Sequence, residues 1–161
     1  MADQERLVNS FCEMVQIDSP SDEEEDVARH LVDRLEGLGF QVARDAHGNV
    51  IASEEGGQPL LLSAHMDTVE PGRGIKPRIQ GDRIVSDGTT ILGGDCKAGV
   101  AAILEGLQSI KDEGLTRCPV PGVFSRDAAS NLRSMATSSA PTARRFWAAI
   151  ARPEWPPSWR R

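Results

Sequence analysis

The chain has 161 residues, 39% of them hydrophobic and 26% charged, which suits one domain and leaves too little length for two full-sized ones. Three cysteines without a C-x-x-C pair exclude a disulfide framework and a zinc ribbon. The absence of a long apolar run and of an apolar N-terminal segment excludes a membrane span and a secretory signal, so we expect a soluble cytoplasmic protein.

Helical periodicity dominates the first forty residues. Apolar residues at helical spacing predict a first helix over 3–16, which the Ser19-Pro20 pair ends. Ser21 and Glu24 have the spacing of a capping box, which predicts a second helix that ends near Gly39. Two strands are expected next, over 40–44 and 49–53.

The next stretch alternates strands, loops and one more helix. Residues 59–64 form a short apolar run, typical of a strand buried on both faces. A hairpin is expected over 78–86 and a glycine-rich loop over 87–95, followed by a third helix over 97–113. Because helices and strands alternate, we predict an α/β fold.

His65 and Asp67 directly follow the predicted buried strand. Residues two apart in an extended segment point to the same side, so both side chains would face one pocket at the carboxyl end of the strand. A neutral imidazole is a common zinc ligand, and a neighbouring carboxylate fixes its tautomer. For an isolated His-x-Asp, a histidine in a turn beside a loop carboxylate is the commoner outcome.

Asp95 lies between the glycine-rich loop and the third helix. A carboxylate there suits either a ligand or a plain cap of the helix N-terminus. A phosphate-binding loop is excluded, because Gly94 and Asp95 occupy the positions where that motif needs Lys and Ser or Thr.

Together the segments 63–72 and 86–99 closely resemble the co-catalytic zinc exopeptidases related to peptidase T, glutamate carboxypeptidase and aminoacylase. The segment 74–77 is similar to the peptidase T-like branch, and the resemblance covers about residues 3–114. It implies the N-terminal part of a three-layer αβα catalytic domain. It also implies a metallopeptidase that hydrolyses a peptide or N-acyl amide bond by a metal-activated water, with two zinc ions in the intact family.

The resemblance also implies a role for each residue of the site. His65 would bind one metal ion, Asp67 would be the catalytic carboxylate that orients His65, and Asp95 would bridge two ions. The peptide bond after Asp95 would be cis. Cys96 stands where the family usually has a second Asp, and we interpret it as a small buried side chain in preference to a soft metal ligand.

The composition changes after residue 114. Residues 1–114 hold 10 basic and 22 acidic side chains, whereas residues 115–161 hold eight Arg, no Lys and two acids, with all three Trp. The resemblance requires a Glu-Glu pair where the chain has Ala128 and Ala129. We therefore divide the chain into an incomplete catalytic domain, 1–114, and an aberrant Arg/Pro/Trp-rich tail, 115–161, which we interpret as disordered or translated out of frame.

These observations favour a truncated, inactive copy of a zinc peptidase. His65 and Asp95 alone would bind zinc weakly at most, and the intact parent would act on a peptide or an acyl-amino acid. The alternative is a non-catalytic module whose basic tail contacts an acidic partner, although the tail has no basic stripe that would favour nucleic acid. A third hypothesis is a chain that does not fold stably, because its sheet edges are exposed.

Overall fold

The computed structural model describes residues 1–54 and 61–126. They form a mixed α/β structure, as predicted. The helices are α1 (Gln4–Gln16), α2 (Glu25–Leu38) and α3 (Gly94–Asp112), and the strands are β1 (Gln41–Arg44), β2 (Val50–Ser53), β3 (Leu62–His65), β4 (Arg78–Gln80), β5 (Arg83–Val85) and β6 (Gly122–Ser125). Within the described ranges, no helix combines the length and the apolar character that a membrane crossing requires.

Four strands form the main sheet, in the order β1-β2-β6-β3. β1 and β6 both run antiparallel to β2, whereas β3 runs parallel to β6. All four residues of β6 are buried. Since β6 lies beyond Gly114 and fills the middle of the sheet, the folded unit extends at least to residue 126.

The first helix matches its prediction. Asp3 is the N-cap and accepts a hydrogen bond from the backbone N–H of Arg6 at 3.0 Å. Phe11, Met14 and Val15 are buried on one face, as the helical spacing of apolar residues indicates.

The start of α2 differs from the predicted capping box. The helix begins at Glu25, and its N-cap residue makes no side-chain cap hydrogen bond. Ser21 instead donates to Asp67 Oδ2 at 2.8 Å, and the buried Glu24 accepts from Arg126 Nε at 2.7 Å. Both side chains bind partners distant in sequence, which a local pattern cannot reveal. The other end is as predicted: Gly39 ends the helix with a φ of 100°.

The strand that was predicted to be buried on both faces corresponds to β3, and it is buried only in part. In β3, Ala64 is buried but Ser63 is exposed, and part of the predicted run falls on residues 55–60, outside the described residues. Among the described strands, only β6 pairs with β3, so β3 forms an edge. α3 packs against β3 and covers it from solvent on that side.

One hydrophobic core joins the helices to the sheet. α1 and α2 both pack against α3, and α2 also covers β1 and β2. The larger side chains of this core that are fully or almost fully buried come from all these layers: Met14, Val15, Val27, Leu31, Leu35, Val50, Met66, Val100, Leu104 and Phe124. β4 and β5 form a separate two-stranded hairpin, which turns at Gly81 as predicted.

We expect Gly72→Ala to destabilise the protein by about 1–2 kcal/mol, because a methyl group there overpacks the loop after β3. A Cβ at Gly72 would lie 2.5 Å from both the backbone oxygen of Val69 and Cγ2 of Thr68. Gly37→Ala is the matched control. A Cβ at this exposed helical glycine meets nothing within 4 Å, so the change should stabilise by about 0.5–1 kcal/mol. Urea unfolding of both variants tests the pair, and equal effects would contradict it.

Candidate metal centre

His65 lies at the carboxyl end of β3, where the chain leaves the sheet. The residue pairs with Ser125 of β6, and the backbone N–H of Met66 donates to the Ser125 carbonyl at 2.8 Å. The buried Ser19 then holds the following turn: its hydroxyl donates to the Met66 carbonyl at 3.0 Å, and its own carbonyl accepts from Thr68 N–H at 2.7 Å. The turn that carries the site is therefore fixed from two sides.

His65 and Asp67 face each other, as their spacing predicts. Nδ1 of His65 lies 2.7 Å from Oδ1 of Asp67, and the other oxygen of this buried carboxylate accepts the hydroxyl hydrogen bond of Ser21 at 2.8 Å. Asp67 is thus held by a second partner while it orients the imidazole. This leaves Nε2 of His65 as the nitrogen that faces outward, toward Asp95.

Asp95 reaches the same point from the start of α3. Its Oδ1 lies 3.3 Å from Nε2 of His65, and its side chain is 97% exposed. The N-cap residue is Gly93, which has a φ of 71°, so Asp95 is not the plain helix cap considered above. The peptide bond between Asp95 and Cys96 is cis, as the resemblance implies.

The distances suit a metal ion. Two ligand atoms that each lie about 2.0–2.2 Å from a tetrahedral zinc ion are separated by about 3.4 Å. The separation of 3.3 Å between Nε2 of His65 and Oδ1 of Asp95 is close to that value. Their ligand atoms and that of Cys96 all lie within 4.8 Å of one another. The structure therefore brings His65, Asp67 and Asp95 together, and their roles as ligands and orienting group stay predictions.

Lys97 belongs to the site's surroundings, although the sequence patterns gave it no role. The side chain is fully buried, and Nζ donates to the carbonyl of Ile17 at 2.8 Å. Burial lowers its pKa to about 8, while the charges of Asp18 and Asp67 act in the opposite direction. In the sequence, the only indication of this lysine's place was its position directly after Asp95 and Cys96, in the segment 86–99.

The expected Glu-Glu positions, Ala128 and Ala129, lie outside the described residues, as does the rest of the tail. The strand that precedes them, β6, is among the described residues. It runs parallel to β3 and so ends at the same edge of the sheet as His65. Arg126 follows β6 there. Its backbone N–H donates to Oδ1 of the buried Asn49 at 2.9 Å.

No family model matches the chain. The chain is 34% identical to the uncharacterized protein YqjE of Bacillus subtilis (strain 168) over 157 residues, which covers 86% of this chain and 42% of YqjE. It is 32% identical to the cytosol non-specific dipeptidase of Escherichia coli (strain K12) over 130 residues, which covers 71% of this chain and 26% of the dipeptidase. The chain thus spans about two fifths or less of the length of these relatives.

Solved structures give the same result. A tripeptidase of Staphylococcus aureus matches with a TM-score of 0.77 and 36% identity, and the aminopeptidase PepT of Bacillus cereus matches with a TM-score of 0.77 and 35% identity. Each match covers 86% of this chain and 40% of the other. These matches confirm the resemblance indicated by the two motifs. They also run past residue 114, the boundary that composition suggested.

Proposed function

We propose that this chain, which resembles the N-terminal part of the peptidase T-like hydrolases in both sequence and fold, supplies the histidine side of a zinc centre for amide-bond hydrolysis. One observation carries this proposal. At the carboxyl end of β3, His65 is held between Asp67, at 2.7 Å, and Asp95, at 3.3 Å. An imidazole between an orienting carboxylate and a ligating carboxylate is the arrangement that zinc enzymes use.

Each side chain has a distinct task in this proposal. Nε2 of His65 and the carboxylate of Asp95 hold the ion, while Asp67 keeps the proton of the imidazole on Nδ1. Ser21 keeps Asp67 in place by its hydrogen bond to Oδ2. When bound, zinc supplies Lewis-acid chemistry: it polarises the carbonyl of the substrate and lowers the pKa of water.

The substrate class follows from the relatives. The similar proteins are a tripeptidase, an aminopeptidase and a cytosol dipeptidase, and their names share a peptide bond as the target. We therefore propose a short peptide or an N-acyl amino acid as the substrate of a complete protein of this kind, and the cytoplasm as its location.

Residues 1–161 by themselves should not turn over a peptide. Hydrolysis requires a general base within reach of the attacking water. In the family this base is the first residue of the Glu-Glu pair, and the corresponding positions hold Ala128 and Ala129. An out-of-frame translation after residue 126 would explain both the alanines and the Arg/Trp-rich composition that follows them.

Sequencing the coding DNA from upstream of residue 115 to well past the codon of Arg161, with translation of all three frames, tests this proposal. We expect another frame to continue from β6 into a Glu-Glu pair and further acidic and His ligands. The frame-restored protein should then hydrolyse dipeptides, tripeptides or N-acyl amino acids only with zinc or cobalt, and the 161-residue chain should not.

Two results would contradict the proposal. If no frame gives the pair, the tail is genuine, and the non-catalytic module with a basic tail becomes the better hypothesis. If the restored protein binds metal but hydrolyses no amide, the assignment to amide hydrolysis is wrong. The matches that cover 86% of this chain reach into the tail, so the DNA decides between the two interpretations.

A further inference from the structure

Cys96 contributes a third type of donor to the point where His65 and Asp95 meet. The sulfur of Cys96, the carboxylate of Asp95 and a ring nitrogen of His65 all lie within 4.8 Å of one another. Within residues 1–54 and 61–126, no other three His, Cys, Asp or Glu side chains bring their ligand atoms this close together. The convergence involves three different side-chain types from β3 and the start of α3.

The local backbone accounts for the position of the sulfur. Asp95 and Cys96 both have non-helical φ and ψ, so the chain is not yet in the regular path of α3 at these residues. A Cβ at Gly99 would lie only 2.8 Å from the sulfur of Cys96. The absence of a side chain at Gly99 therefore leaves the space that the sulfur occupies.

We propose that Cys96 is a metal ligand, so that His65, Asp95 and Cys96 form a single-ion site of one nitrogen, one oxygen and one sulfur. This inference rests on the proposed function, because it concerns the same centre. Catalytic zinc sites use three protein ligands and one open position, and Cys96 raises the protein ligands of this site from two to three. The thiol releases its proton to solvent when the ion binds.

The geometry allows this set with a small adjustment. A zinc–sulfur bond of about 2.3 Å and a zinc–nitrogen bond of about 2.0 Å place the two donor atoms about 3.5 Å apart. The observed spread of up to 4.8 Å requires the sulfur to approach by about 1.3 Å at most. The half-buried Cys96 and the 97% exposed side chain of Asp95 leave room for such a side-chain rotation.

A thiolate also changes which metal the site prefers. Soft sulfur favours zinc and cobalt, whereas a carboxylate at the same position suits magnesium and manganese. Cys96 should therefore shift the preference of this chain toward zinc, and Cys96→Asp should shift it toward manganese.

Cobalt titration of the full chain tests the proposal, because a thiolate bound to cobalt gives a charge-transfer band in the near ultraviolet. We expect the band to saturate at one cobalt ion per chain and to be absent from Cys96→Ser and Cys96→Asp. The exposed Cys118 provides the matched control: Cys118→Ser should keep the band. Zinc affinity should fall at least about 10-fold in Cys96→Ser and stay unchanged in Cys118→Ser.

A second measurement uses the unmodified chain, so that it does not depend on the folding of a variant. Alkylation by iodoacetamide, mapped by mass spectrometry, should be slowed by zinc at Cys96 and not at Cys118. Equal labelling of Cys96 with and without bound zinc overturns the proposal.

The outcomes separate this inference from the proposed function. Cobalt binding that requires His65 but gives no charge-transfer band overturns the role of Cys96 and leaves the proposed centre intact. Cobalt binding that does not require His65, or the absence of binding, overturns the proposed centre and this inference with it.

Discussion

Replacing Glu105 with alanine is expected to lower the free energy of unfolding by about 1–3 kcal/mol, because it removes a buried carboxylate and the hydrogen bonds that it accepts, among them those from the partly exposed Arg6. Glu105 of α3 is only 4% exposed, and its carboxylate accepts hydrogen bonds from Arg6 Nε at 2.7 Å and from the backbone N–H of Asp3 at 2.7 Å. Arg6 Nη2 and the hydroxyl of Ser109 also donate to this carboxylate, at 3.0 Å and 2.6 Å. One carboxylate thus joins the N-terminus of α1 to the middle of α3.

Urea unfolding of four variants measures this effect: Glu105→Ala, Arg6→Met, their combination, and a control. Glu13→Ala is the control, because Glu13 lies on the exposed face of α1 and its ion pair with Arg34 is long, at 3.9 Å. It should change stability little. Combining Glu105→Ala with Arg6→Met should cost less than the two single changes together, since both remove the same contact. Additive effects would show that Arg6 and Glu105 act independently.

The same carboxylate makes stability depend on pH. Hydrogen bonds from Arg6 in the first place, and from Ser109 and Asp3, lower the pKa of Glu105 from 4.5 to about 2 against the opposing effect of burial. A carboxylate with a lowered pKa stabilises the fold fully above its ordinary pKa and loses that contribution as the pH falls toward its folded pKa. The stability difference between the unchanged chain and Glu105→Gln should therefore shrink between pH 4.5 and pH 2. A constant difference would contradict the assigned pairing.

Local patterns predicted most of the elements, because they are set by interactions within a few residues. The apolar spacing of α1, the turn at Gly81 and the glycine that ends α2 all act over one or two turns of chain. The capping box failed for the opposite reason. Ser21 and Glu24 bind Asp67 and Arg126, and contacts across 46 and 102 residues leave no periodic signal.

The domain boundary shows the limit of composition. The change after residue 114 is real in the sequence, yet Gly122–Ser125 form the fully buried strand between β2 and β3. Four residues with no charge are too few to affect an average over 47 residues. Pairing in a sheet depends on neighbours distant in sequence, so composition does not predict it.

The sequence indicated the positions of the site residues where they lie at the end of a strand or the start of a helix. The side-by-side position of His65 and Asp67 follows from alternation along a strand. The glycine-rich loop before α3 left both a ligand and a helix cap open for Asp95, and only the family resemblance assigned it to the site. The contributions of Ser21 and Lys97 were not predictable, because only the tertiary fold brings the Ser21 hydroxyl into contact with Asp67 and buries Lys97 within range of the Asp67 charge. Cys96 was visible in the sequence, and only its position in space indicates a donor.

Replacing His65 with alanine is expected to weaken zinc binding by about 100-fold or more, since it removes the proposed nitrogen ligand of the ion. Asp67→Asn should weaken it by about 10–100-fold, because the amide keeps the shape of the carboxylate but not the charge that makes His65 a better donor. Competition with a chromophoric chelator measures both affinities. Circular dichroism must show that each variant keeps the fold, so that a loss of binding reports on the ligands.

Matched controls separate this site from general attraction to an acidic surface, because residues 1–114 carry 22 acidic side chains. His47, in the exposed loop after β1, and Asp82, whose side chain is 94% exposed, are the controls. His47→Ala and Asp82→Asn should leave zinc affinity unchanged. Ser21→Ala should weaken it by a few-fold only, because Asp67 keeps its contact with His65. If binding is specific, the loss of zinc affinity should be largest for His65→Ala, smaller for Asp67→Asn, smaller again for Ser21→Ala and absent for the controls. Equal losses for all acidic changes would show that zinc binds by charge alone.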